Sequence, residues 1–122
     1  MIWEFEWICE ELEKLTGEWE PILSALPEET ISLRKNSQGR SIRQILGHMV
    51  DSATNNTHRV IHMHYQESPV NYPDYANLGN NDRWIAIQNY QEEDWNRLIK
   101  LWVAVNQHFI HLIRQIEEPR LD

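Results

Sequence analysis

Ser41-Ile-Arg-Gln-Ile-Leu-Gly-His-Met-Val-Asp-Ser52 is the stretch on which the reading of this chain turns. Ser41, with Gln44 three residues later, has the form of a capping box, in which each side chain answers the other's backbone N–H at a helix start. From there Ile42, Ile45, Leu46, Met49, Ala53 and Val60 share one side of a helix that the pattern carries to about Tyr65. His48, Asp51, Ser52, Asn55, His58, Arg59 and His62 fall on the other side. A solvated helix face is ordinarily filled with Lys and Glu, which are good helix formers. Neither occurs between positions 41 and 65. Short polar groups and imidazoles stand there instead, residue types that bind ligands and hydrogen-bond one another. That substitution marks a candidate site.

Outward from this helix, the same spacing recurs twice. Phe5, Ile8, Leu12, Leu15, Trp19, Ile22 and Leu26 alternate three and four residues apart, a single apolar stripe along a first helix. Gly17 weakens that helix, and Pro21 removes one backbone donor, so a kink or restart is expected over residues 18–21. Residues 27–40 read as a connection, with Asn36-Ser-Gln-Gly-Arg40 as its turn. Near Glu92 a third helix begins, its acidic Glu92, Glu93 and Asp94 suited to the positive end of the helix dipole. Trp95, Leu98, Trp102, Val105, Phe109, Leu112 and Ile116 form its stripe, and Pro119 is expected to stop it. Between the second and third helices, residues 66–91 show no clear period. They hold Tyr72, Tyr75, Trp84 and Tyr90, which favour a segment packed over something rather than a solvated linker. No strand pattern competes. The fold class is all-α, an antiparallel up-down helix bundle with three long helices, each roughly 35 Å long. The wide apolar faces call for one further partner, a fourth helix or a second subunit.

Bulk composition limits what such a bundle can do. A chain of 122 residues is read as one domain over 1–122, large enough to bury a core without staples. The net charge of −8, with 11 Lys and Arg spread along the chain, excludes a nucleic-acid backbone and an anionic membrane surface as partners. A single cysteine, Cys9, rules out an intramolecular disulfide and suits a reducing cytoplasm, and the acidic N-terminus lacks the order of a signal peptide. Glu6, Glu10 and Glu13 surround Cys9 and would raise its thiol pKa, so Cys9 reads as structural. There is no Gly-x-Ser-x-Gly, phosphate loop or His-Glu-x-x-His.

Histidines are therefore the candidate metal ligands. His58 and His62 are spaced to present two nitrogens to one ion, while His48 lies some 21 Å from His62 along a straight helix. His108 and His111 on the third helix could approach either set. Spacing alone leaves these alternatives open.

The order of the motifs goes further. Ser41-Ile-x-x-Ile-Leu-Gly-His48-Met-Val-Asp-Ser52, then Asn55 and Arg59, then Pro69 after Glu67, Tyr75, and Trp84 with Tyr90 six residues on, resembles the YfiT-like branch of the DinB-like superfamily. The resemblance covers most of the chain from about Ser41 to Ile116. It implies a four-helix bundle, often a homodimer, with a divalent zinc or nickel ion held by three histidines, of which His48 matches the first. The other two belong to a His-x-x-x-His pair in a C-terminal helix that would follow Asp122, so the expected domain lacks that helix and its metal site is incomplete. The implied activities are metal-dependent thiol S-transfer or hydrolysis on a small-molecule or thiol substrate, with Asp51, Ser52 or Asn55 orienting the His48 ring or a bound water. The rival expectation is a non-catalytic helical dimerisation or interaction module.

Overall fold

The computed structural model describes residues 5–67, 69, 72, 75 and 79–121, with the backbone alone for 117–121. Its elements are α1 (Glu6–Ser24), α2 (Glu28–Leu33), α3 (Ile42–Tyr65), α4 (Asn80–Gln88), a 3-10 turn (Tyr90–Glu92) and α5 (Trp95–Leu121). The architecture is an all-α bundle of three long helices, and no β-strand occurs among the described residues. No helix among them is long and apolar enough to cross a membrane.

The central element is α5, which packs along both α1 and α3. Leu98 and Ile99 are almost wholly buried and meet Leu46 and Val50 of α3, Ile31 of α2, Ile85 of α4, and Tyr90, Trp95 and Trp102. Truncating a side chain as deep as Leu98 to alanine costs about 2–5 kcal/mol, through lost burial and the cavity left behind. A smaller cluster joins Cys9 of α1 to Ile110 of α5, with Leu12 and Ile113 against it. The indole N–H of Trp95 donates to the carbonyl of Leu23 at 2.8 Å, satisfying an acceptor in the last turn of α1. At the other end of α1, Arg114 of α5 donates to Glu6 and Glu13, which sets the two helices in register.

Several boundaries differ from the sequence reading. Helix α1 runs through Pro21 without a restart and ends at Ser24, leaving Leu26 outside. The connection at 27–40 contains α2, a short helix that Pro27 precedes in extended conformation and that Glu28 and Glu29 open with acidic side chains. Residues 66–91 contain α4, entered through Gly79 at φ 83° and left through Asn89 at φ 51°. Each short helix buries one residue, Ile31 or Ile85, so neither carries an apolar stripe that a periodicity could find. Helix α5 starts at Trp95 rather than Glu92, because the Asp94 carboxylate accepts the Arg97 backbone N–H at 2.9 Å and caps it. The backbone stays helical past Pro119 to Leu121, so the expected stop at Pro119 does not occur.

Candidate functional site around His48

The capping box at the start of α3 is present: Ser41 Oγ accepts the Gln44 N–H at 3.2 Å, and Gln44 Oε1 accepts the Ser41 N–H at 2.9 Å. Ser41 Oγ also donates to Gln91. Arg43, two residues further in, is buried and donates to both Glu28 oxygens, at 3.1 and 2.8 Å, and to Ser32 Oγ at 2.7 Å. These bonds fasten α2 and the 3-10 turn over the first turns of α3, which fixes where Tyr90 enters.

Tyr90 lies against Gly47. A Cβ built on Gly47 would sit 2.2 Å from the Tyr90 ring, so only glycine admits the ring at this depth. The phenol then reaches one turn along α3 and donates to Asp51 Oδ1 at 2.6 Å, while Gln88 Nε2 donates to the same oxygen at 2.8 Å. Asp51 is 1 % exposed, and its second oxygen, Oδ2, has no hydrogen-bond partner among the described residues. Burial raises the Asp51 pKa, against the lowering effect of the Tyr90 and Gln88 bonds. Burial, then the hydrogen bond to Asp51 and its charge, push the Tyr90 phenol up as well. Asn55 continues the line, donating to the Asp51 carbonyl at 2.8 Å and accepting from the Tyr72 hydroxyl at 3.3 Å.

His48 occupies the edge of this buried polar strip. Its Nδ1 lies 2.7 Å from the Tyr75 hydroxyl, and the two rings stack with centroids 5.8 Å apart. Tyr75 is buried and packs edge-on against Trp84 at 5.2 Å. Burial, followed by the Asp51 charge, pushes the Tyr75 phenol up to about 12, so it stays protonated at neutral pH. Burial lowers the His48 pKa, and the Arg40 guanidinium adds to the effect against the opposing charges of Asp51 and Asp82. Arg40 is itself paired with Asp82 at 2.6 Å. His48 is thus a half-buried, neutral imidazole with one nitrogen fixed by a phenol. Its other nitrogen, Nε2, makes no hydrogen bond among the described residues.

The sequence profile of the DinB superfamily matches residues 11–122. The chain belongs to the DinB superfamily. No curated protein and no solved structure matches it. In this DinB-superfamily chain the other histidines do not converge on His48. His58 is exposed, and His62 Nδ1 is taken up by the Tyr65 hydroxyl at 2.9 Å and Gln66 at 2.6 Å. His108 and His111 stack on α5 with ring centroids 6.2 Å apart. Among the described residues there is no group of three or more His, Cys, Asp or Glu able to hold a metal ion. As a single donor His48 fits a metal; a complete donor set is not found among these residues.

Two features escaped the sequence reading. The His48 ring is held by Tyr75, 27 residues on, rather than by Asp51 or Asn55. Asp51 instead anchors Tyr90 and Gln88. The aromatic richness of residues 66–91 was the signal available, but it carries no address.

Proposed function

We propose that this protein is a metal-dependent enzyme of the YfiT-like branch, of the thiol S-transferase or hydrolase class, with His48 as one ligand of a zinc or nickel site. The observation that carries the reading is His48 itself, neutral, half-buried, braced at Nδ1 and open at Nε2. Metal-bound histidines have this arrangement: a second group fixes one nitrogen so that the other points its lone pair at the ion. For Nε2 to be that donor, Nδ1 carries the proton and donates to the Tyr75 oxygen. A divalent ion held there would lower the pKa of a bound water or thiol and supply a nucleophile at neutral pH. Tyr75 orients the ring, burial disfavours its protonation, and the Asp51 anchor keeps α4 and Trp84 in place around them.

Calorimetric titration with nickel or zinc tests this, on the protein and on His48→Ala. The protein is expected to bind, in the micromolar range, one equivalent of metal that His48→Ala does not. Equal binding by His48→Ala, or a loss confined to a His58→Ala/His62→Ala variant, overturns the assignment.

A second reading is favoured by a different observation. Leu15, Trp19 and Ile22 make a stripe on α1 that is 44, 47 and 49 % exposed, and Met49 of α3 is 43 % exposed. This supports a homodimer or a helical interaction module. Absent metal binding together with a concentration-dependent dimer in sedimentation would favour it over the enzyme.

A further inference from the structure

We propose that His108 and His111 form a separate binding site for a borderline divalent transition-metal ion on the solvent face of α5. The two imidazoles stand one helical turn apart, both exposed, with ring planes 30° apart and centroids 6.2 Å apart. Neither makes a hydrogen bond or ion pair among the described residues, so both rings are available without breaking anything. Donors three residues apart on a helix can serve one ion, as the Glu-x-x-His pairs of helical-bundle metal sites do. Metal–nitrogen bonds of about 2.0–2.1 Å require the rings to turn toward each other, a side-chain rotation that leaves the helix as it is.

The scaffold under the pair is firm. Ile110 between them is buried against Cys9, and Asn106, one turn before Ile110, is buried and donates to the Trp102 carbonyl at 2.8 Å. Little backbone freedom is left to lose on binding, which favours chelation. The surroundings also admit a cation. Arg114, the basic residue nearest in sequence, already has its charge answered by Glu6 and Glu13. Glu13, Gln107, His111, Arg114 and Gln115 line a shallow hollow of about 350 Å³ beside the pair, open to water that would complete the coordination. Paired imidazoles select nickel, zinc and copper(II) over magnesium and calcium, whose hard ions prefer oxygen.

This site is independent of His48, and the test keeps the two apart. The starting protein is His48→Ala, titrated with nickel by calorimetry and followed by amide NMR. One nickel per chain in the micromolar range is expected, with the first amide changes over residues 105–114. Adding His108→Ala, His111→Ala or both should weaken binding by about tenfold or more, with the circular dichroism melt unchanged because both side chains are exposed. Unchanged binding in the double variant overturns the proposal, as does a loss produced instead by His58→Ala/His62→Ala. Loss of nickel binding on His48→Ala itself also counts against the α5 pair, whereas the His48 reading would survive it.

Discussion

On one side of α3, Arg43, Asp51 and Asn55 are 5, 1 and 7 % exposed; on the other, Met49 is 43 % exposed. Binary patterning would assign these the other way round. The buried set of α3 is Arg43, Leu46, Gly47, Val50, Asp51, Ala53, Asn55 and Thr57, an arc lying between the apolar and polar faces expected from sequence. Two neighbours produce that rotation. Helix α5 takes the Leu46 and Val50 side, and α4 with the 3-10 turn takes the side of Gly47 and Asp51. Met49 faces an open groove of about 200 Å³, lined also by Leu12, Ala53, Trp102 and Phe109. A polar helix face can be buried when most of its polar groups meet partners, and an apolar one left open costs only the burial it forgoes. The difference says where this fold spends its specificity: on the strip that positions His48.

The largest effect should come from Gly47→Ala. The new methyl would enter the Tyr90 ring at 2.2 Å, so Tyr90 must leave or α3 must shift. Overpacking of this kind costs about 1–3 kcal/mol or more, beyond the gain of roughly 1 kcal/mol in helix propensity. Urea unfolding should show a net loss of about 2 kcal/mol; a variant as stable as the parent would remove Tyr90 from the buried strip.

Asp51→Ala comes next. It strips the shared acceptor from Tyr90 and Gln88, leaving the Tyr90 hydroxyl only Gln88 Oε1 and Gln88 Nε2 only the Trp84 carbonyl, and losing hydrogen bonds to a carboxylate costs about 1.5–3 kcal/mol. Tyr90→Phe, which removes the hydroxyl that meets Asp51 and Gln88 and keeps the ring, should cost about 1 kcal/mol. If the two variants cost the same and add fully in the double variant, the Asp51–Tyr90 bond contributes nothing.

Asp51 also sets a pH dependence whose direction is unusual for a carboxylate. Burial raises its folded-state pKa above the ordinary value near 3.8, so between these two pH values the folded chain holds a proton that the unfolded chain has lost. Its contribution is therefore full below the unfolded pKa and is lost as pH rises through the folded one. Asp51→Asn keeps an acceptor for Tyr90 and does not titrate. Its stability relative to the parent should rise from acid to neutral pH, and a flat or falling difference would mean that Asp51 is not desolvated.

The smallest effect belongs to the open face. Met49→Gln should stay within about 0.5 kcal/mol of the parent, as surface substitutions do. A loss of several kcal/mol at high protein concentration, absent on dilution, would show that a second chain covers the groove.

The long helices were legible because their stripes repeat over five or more turns, and Ser41 with Gln44 marked the start of α3 without tertiary help. Helices α2 and α4 were not, because each depends on one buried residue and on partners far along the chain. His48 and Asp51 stood out as candidates from the residue types around them. Their roles did not, because Tyr75 and Tyr90 reach them from 27 and 39 residues away, through a turn that Arg43 and Gly47 position. Sequence spacing reports what shares a helix face; it says nothing about what is laid over that face.

The most direct test is long-range ¹H–¹⁵N NMR of the His48 ring as zinc is added to the protein. The account predicts a protonated Nδ1 bonded to Tyr75 throughout, with the Nε2 resonance moving as metal binds. A shift at Nδ1, or a silent His48 while other histidines respond, would contradict it.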